Sequence, residues 1–391
     1  MKMVVNKSNP AQGLLQVTGR KLFVSLRNVL LQLFALLLIL PSVALAAPFA
    51  YVANDNDSTV SVIDIATNAV VATVPVGSAP TSVAVNPGGA FAYVANSGSN
   101  TVSVISTANN TVVATVPVSA YPISITLNPA GTFAYIAHNN SPEVSVLDTT
   151  NNTVVTIITV GLGAHPFGIG INPAGSFVYV ANFSENTVSV INTATNTVVA
   201  SVPVGGHPLG SIAVHPAGTF AYVSNNSDNT VSGNSISVIN TATNAVVATI
   251  PVPLNPSGAA INPAGTYVYV TSQNGGVSVI NTTTNAVVAT VTVGSDGGGI
   301  AVNPAGTFAY ALNSLSNNVS VISTANNTVV ATIPVGSFPV SYGGNFIGGP
   351  LPPPVPAGPA NIPTLSEWGL IMLSALMALG TFAILRRKQH G

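Results

Sequence analysis

Residues Phe91–Thr132 read FAYVANSGSN TVSVISTANN TVVATVPVSA YPISITLNPA GT, and the same sentence recurs along most of the chain. Its opening words return at Phe49, Phe91, Phe133, Phe177, Phe220, Tyr267 and Phe308, at intervals of 42, 42, 44, 43, 47 and 41 residues. Each copy holds four short apolar runs, in this one Phe91–Asn96, Thr101–Ile105, Thr111–Val118 and Ile123–Leu127. Val102 and Val104 alternate with Thr101 and Ser103, the period-two pattern of a strand with two unlike faces. Val, Ile, Tyr, Phe and Thr fill the runs, and helical spacing is absent. Four strands per copy and a period in the forties predict an all-β fold, a seven-bladed β-propeller of four-stranded antiparallel blades over residues 47–349.

The turns support the same reading. An Asn/Thr turn such as Asn192–Asn196 separates the second and third runs, and Asn-Pro-Ala-Gly-Thr, as in Asn128–Thr132, follows the fourth. Proline pre-sets the first central position of a tight turn, and glycine follows the reversal. The first copy lacks the strand that precedes FAYVAN elsewhere, and the last copy ends in VSYGGN with no FAYVAN after it. Val340–Asn345 is therefore expected to complete the first blade, with Asn345 on the position of Asn86, which buries two open edges.

Charge bounds the function. The 391 residues contain no cysteine, so disulfides and cysteine-ligated metals are excluded. All eight lysines and arginines lie outside residues 47–362, whereas eight carboxylates lie within the repeats. A body of that charge cannot neutralise phosphates, which argues against nucleic acid as a partner, and it lacks the arginine forks that hold anionic substrates.

The two ends carry their own signals. In residues 1–46 five basic residues precede the apolar run Val29–Leu40, and Ala44-Leu45-Ala46 is a small-x-small site, predicting an export signal cut between Ala46 and Ala47. Residues 350–361 form a proline-rich linker, whose composition favours an extended spacer. Trp368–Leu385 then supplies 18 residues, about 27 Å as a helix, enough for a single transmembrane span with Arg386, Arg387 and Lys388 on the cytoplasmic side.

Two resemblances rest on these residues. The repeated Tyr-Val-Ala-Asn, with Tyr269-Val270-Thr271-Ser272 as its nearest approach to the threonine form, resembles the YVTN-type β-propeller repeat over about Phe49–Gly349. That family includes surface-layer-like proteins, so the resemblance implies display at the cell surface and no one activity. Ile362, Pro363, Thr364, Leu365, Trp368 and Gly369, with the apolar run and the basic tail, resemble the IPTL-CTERM protein-sorting domain over residues 362–391. This implies an exosortase-type membrane enzyme as partner and a chain held transiently in the inner membrane before release or attachment.

No residue set announces catalysis, a cofactor or a metal. His138 and His215 replace asparagines of the repeat and read as turn or strand-end residues. Asp64 and Asp148 read as caps of the Asn/Thr turns. Asp55-Asn56-Asp57 lacks the glycine and distal glutamate of an EF-hand loop. In an antiparallel blade, the loop after FAYVAN and the linker to the next blade share one face, and the Asn/Thr and Asn-Pro-Ala-Gly turns share the other. The second face is nearly uniform from copy to copy; the first varies. Its slot before the inner strand runs through Ala79, Tyr121, His165, His207, Asn255, Asp296 and Phe338, and its loops carry Asp55, Asp57, Glu185 and Asp228. Aromatic, imidazole, amide and carboxylate groups around a channel mouth suit recognition of a protein or carbohydrate at the surface. The expected function is an exported binding, adhesion or surface-layer-like module of the cell envelope. The alternatives are a lactonase-like propeller enzyme and a purely structural coat component.

Overall fold

The computed structural model describes residues 48–226, 234–253, 255–343 and 345–348. These form seven antiparallel sheets. The second blade serves as the pattern: β4 (Pro80–Val85), β5 (Phe91–Asn96), β6 (Thr101–Ser106) and β7 (Thr111–Pro117), each paired with its neighbour. The first blade contributes β1 (Phe49–Asn54), β2 (Thr59–Asp64) and β3 (Ala69–Pro75). Burial falls from the inner strand outward. β4 is buried throughout, β5 and β6 at most positions, and β7 at one residue only. Among the described residues there is no helix long and apolar enough to cross a membrane, and the predicted Trp368–Leu385 span, signal segment and linker lie outside those residues.

Blades pack face to face, so each core is shared. One cluster joins Val52 and Val62 of the first blade to Val83 and Val94 of the second and Leu312 and Val321 of the seventh. Each such aliphatic side chain contributes about 1.5–3 kcal/mol when fully buried. Polar groups repeat with the same regularity. The Asn of YVAN is buried and donates from Nδ2 to two hydroxyls of the next strand, Thr101 and Ser103 from Asn96 at 3.1 and 2.9 Å. Asn54, Asn182 and Asn225 make the same pair of bonds. A Cβ on Gly77, in the linker that enters the second blade, would stand 2.7 Å from Asn96 Nδ2, so the linker glycine lets the chain lie over the asparagine. The tyrosine of the same word reaches sideways. Tyr51 Oη donates to Asn110 Oδ1 of the second blade at 3.0 Å, and Tyr310 Oη donates to Asn68 Oδ1 of the first at 3.4 Å, across the ring closure. Burial pushes the Tyr51 and Tyr310 phenols up to about 12.

The C-terminal residues complete the first blade, but not as the single strand expected over Val340–Asn345. Pro339–Val340 pairs with Asn54 and Ala53, and Ile347–Gly348 pairs with Ala50 and Phe49. Ile347 thus takes the role of Val85, which pairs with Ala92, and Asn345 does not fall on Asn86. Between the two pieces the chain leaves the sheet. Ser341 N donates to Gly298 O of the seventh blade, Tyr342 N to Thr81 O of the second, and Gly343 bridges Ile169 of the fourth. Residues 341–343 therefore cross the central channel and touch inner strands on several sides. Gly343 permits this: a Cβ on it would meet the Ser124 side chain at 2.7 Å.

Candidate recognition face

The slot before each inner strand adopts the same unusual backbone in all seven blades. Ala79, Tyr121, His165, His207, Asn255, Asp296 and Phe338 all have φ between 45° and 61°, in the left-handed region. Each slot carbonyl accepts the N–H of a residue in the loop after the FAYVAN strand, as Tyr121 O does from Asn139 N and Phe338 O from Asp55 N. The slot N–H groups of Tyr121, His207 and Phe338 donate to Asn100, Asn186 and Asn317 Oδ1 at 2.7–2.9 Å. The ring of slots is thus a rigid collar whose side chains are free to differ.

Those side chains come together unevenly. Tyr342, absent from the residues predicted to recognise a ligand, stands at the channel mouth and meets Phe167 edge-on at 4.9 Å. Phe167 lies 6.2 Å from Phe183, which stacks on the His207 ring at 4.7 Å. His165 is turned away from that ladder, its Nδ1 2.7 Å from Asn139 O. His165 and His207 are engaged separately, and among the described residues no three His, Asp or Glu side chains gather in a group that could hold a metal. Tyr121 is 40% exposed.

Asp55 and Asp296 are half-buried at the mouth, and desolvation raises both carboxyls above their ordinary range. The Tyr342 phenol is pushed up first by burial and then by the negative charges of Asp296 and Asp55, with Tyr121 adding a smaller effect. Asp57 Oδ2 accepts Ser337 N–H at 2.6 Å, fastening the last linker to the first blade. Glu185 stands exposed in the loop of the fourth blade. Asp228 lies outside the described residues, as do Ala46, Ala47 and the sorting motif from Ile362 to Arg387.

Residues read as structural behave so. His138 is fully buried with Nε2 2.8 Å from Ser145 Oγ, taking the asparagine's place, and burial lowers it to about 4. His215 Nδ1 accepts Ala217 N–H and its Nε2 lies 3.0 Å from Gly265 O, so it holds its turn. Asp64 and Asp148 accept N–H groups two residues on, at 2.8 Å each. On the far side of residues 341–343, the lower halves of the inner strands border an open cavity of ≈ 210 Å³ lined by Ile169, Ile212, Ile261, Ile300 and Asn345 among others.

Sequence reasoning missed Phe167, Phe183 and Tyr342. Phe167 and Phe183 lie 16 positions apart on different elements of one blade, and only the fold brings them together. Tyr342 is pushed out of the sheet because eight positions separate Pro339 from Ile347, against five from Pro80 to Val85, so the closing strand holds more residues than its place in the sheet can use.

These features define a seven-bladed β-propeller of four-stranded antiparallel blades. Residues 43–156 match the family described as Lactonase, 7-bladed beta-propeller, and residues 360–387 match the IPTL-CTERM motif. Hydrazine synthase of Kuenenia stuttgartiensis is similar at 25% identity and a TM-score of 0.63, covering 72% of this chain and 97% of its own. A functionally unknown protein of Desulfotomaculum acetoxidans is similar at 19% identity and a TM-score of 0.66, over 78% and 99% of the two chains. The dihydro-heme d1 dehydrogenase NirN, solved in complex with DHE, shares the fold at 16% identity and a TM-score of 0.55, over 73% of this chain and 63% of its own. No curated protein matches the sequence.

Proposed function

We propose that the chain is an exported, surface-displayed binding module whose variable face recognises a partner and whose C-terminal tail is handled by an exosortase-type enzyme. One observation carries this reading. The seven slots all demand a left-handed backbone, yet tyrosine, phenylalanine and alanine fill three of them, residues with no preference for it. Strain of this kind costs about 1 kcal/mol or more per residue, and side chains that nevertheless occupy such positions are candidates for a role beyond the backbone.

The direction of the termini supports display. Phe49 pairs with Gly348 at the end of the first blade opposite the slots, so the described chain begins and ends on the uniform face. A tether leaving from that face leaves the variable face pointing away from it. The IPTL-CTERM motif supplies the address. The lactonase-family match over residues 43–156 favours a second reading, a hydrolase working in the channel. Against that reading, residues 341–343 cross the channel, bonded to inner strands of the second, fourth and seventh blades.

The test uses a C-terminal epitope tag in the native host. Processing should remove the tag from the wild type, whereas Pro363→Ala with Thr364→Ala should insert into the membrane and keep it. A wild type that retains the tag as the double variant does would make the segment an ordinary anchor and refute the display route.

A further inference from the structure

We propose that the channel mouth on the variable face is a cation site, taking a lysine- or arginine-rich segment of a partner polypeptide between the rings of Tyr342, Phe167 and Tyr121 and the carboxylates of Asp55 and Asp296. The assignment rests on reading this face as the recognition surface, and it adds the chemistry of the ligand.

Three independent features converge there. The first is the aromatic ladder. From Tyr342 at the channel to His207 on the collar, consecutive ring centroids stand 4.9, 6.2 and 4.7 Å apart, and all four side chains keep part of their surface exposed. A cation over such rings is held by their quadrupoles, most strongly where water is partly excluded. The track is long enough for roughly five residues of extended chain, which favours a polypeptide over a small amine.

The second feature is uncompensated charge. Asp55 and Asp296 come from adjacent blades, the first and the seventh, and both are partly desolvated. Residues 48–348 contain no lysine or arginine. No internal ammonium or guanidinium can offset the cost of holding these carboxylates out of water, so an external cation gains what the fold leaves unsatisfied. Five of the seven carboxylates in the described residues (Asp55, Asp57, Glu143, Glu185 and Asp296) lie on this face, and only Asp64 and Asp148 lie on the other. That asymmetry steers cations towards the variable face.

The third feature is the Tyr342 hydroxyl. It belongs to a side chain set deep in the mouth, close enough to Asp296 and Asp55 to feel both charges, and among the described residues no group bonds to it. Without a bound partner this hydroxyl has only water to satisfy it. A neutral glycan would stack on the same rings and donate its hydroxyls to the carboxylates without cancelling their charge, so its binding would not fall with rising salt, and that difference separates the two ligands in the test.

The experiment is fluorescence anisotropy of a labelled nona-arginine peptide against the purified full-length chain in detergent, at low and at moderate salt. The wild type should bind, and more weakly as salt rises. Asp55→Asn with Asp296→Asn should weaken binding at least about tenfold. Tyr121→Ala, at an exposed ring whose loss leaves the core intact, should weaken it by roughly threefold to tenfold. Asp64→Asn with Asp148→Asn, on the opposite face, should change it less than about twofold. Equal losses in the two asparagine pairs would mean undirected attraction to an acidic body and would overturn the site. No peptide binding, with cellohexaose bound instead in a manner that Tyr121→Ala abolishes, would overturn the cation assignment and leave the recognition face standing. Peptide binding that none of the variable-face substitutions touches would overturn both.

Discussion

The two faces of the ring pose the same backbone problem and answer it differently. On the uniform face, each Asn/Thr turn needs one left-handed residue, and all seven use asparagine: Asn68, Asn110, Asn152, Asn196, Asn244, Asn285 and Asn327. The neighbouring turns need another and use glycine, as at Gly89 and Gly131. Asparagine and glycine are the residues that tolerate this region best, so backbone cost alone accounts for that face. On the variable face the loops after FAYVAN also use asparagine, at Asn100, Asn186 and Asn317, but the slots meet the same need with Ala79, Tyr121, His165, His207, Asn255, Asp296 and Phe338. Backbone cost does not choose tyrosine or phenylalanine there. The difference separates residues that build the ring from residues the ring presents.

The largest effect expected along this division comes from the segment that joins the faces. Truncation after Phe338 removes the pairing of Pro339–Val340 and Ile347–Gly348 and the buried side chains of Val340, Phe346 and Ile347. It should cost roughly 5 kcal/mol or more, visible as a lower midpoint in chemical denaturation. A truncated chain that unfolds like the parent would refute closure by this segment.

Next in size is a pair of tests on the buried asparagine position. Asn96→Ala leaves Thr101 and Ser103 without their donor and should cost about 2–3 kcal/mol. At the equivalent His138, the folded value near 4 lies below the ordinary 6.5, so the neutral ring is the stable form. Its contribution is complete above pH 6.5 and is lost as pH falls towards 4, by up to about 3 kcal/mol. Comparing the acid stability of wild type with His138→Asn isolates this term. The asparagine variant should lose less stability between about pH 7 and pH 4, and parallel curves would show that His138 is not the group responsible.

The smallest effect is the sharpest for the comparison itself. Tyr121→Gly should stabilise the fold by about 1 kcal/mol, because glycine takes φ 56° without strain. Asn196→Gly on the uniform face should change stability by a few tenths only, since asparagine already suits the left-handed backbone there. If the two substitutions shift the melting temperature alike, the slots carry no special strain and the division loses its energetic basis.

Much of the ring was legible in the sequence alone. The blade count, the four strands, the two faces and the completion of the first blade by the C-terminus follow from a period and from alternating residues, which are local signals. The structural roles of His138, His215, Asp64 and Asp148 followed from substitution within a repeat. The break in the closing strand was less visible, because VSYGGN is as apolar and β-prone at its start as any inner strand. Only the glycines and the extra residues mark the departure. The left-handed slots were hidden for a related reason: a tyrosine or phenylalanine gives no hint of positive φ, whereas the asparagines opposite do. The ladder from Tyr342 to His207 depends on contacts among three blades, which no local pattern contains.

The absence of cysteine from the chain allows the most direct test of display. Ser99→Cys places one thiol in an exposed loop of the variable face, and Ala130→Cys places one in an exposed turn of the uniform face. Each variant is expressed in the native host, and intact cells are treated with a membrane-impermeant maleimide. Display of the variable face requires rapid labelling of the Ser99→Cys variant and slower labelling of the Ala130→Cys variant, with the two rates becoming equal once the protein is extracted. Labelling of neither variant on intact cells, or faster labelling of Ala130→Cys, would contradict it.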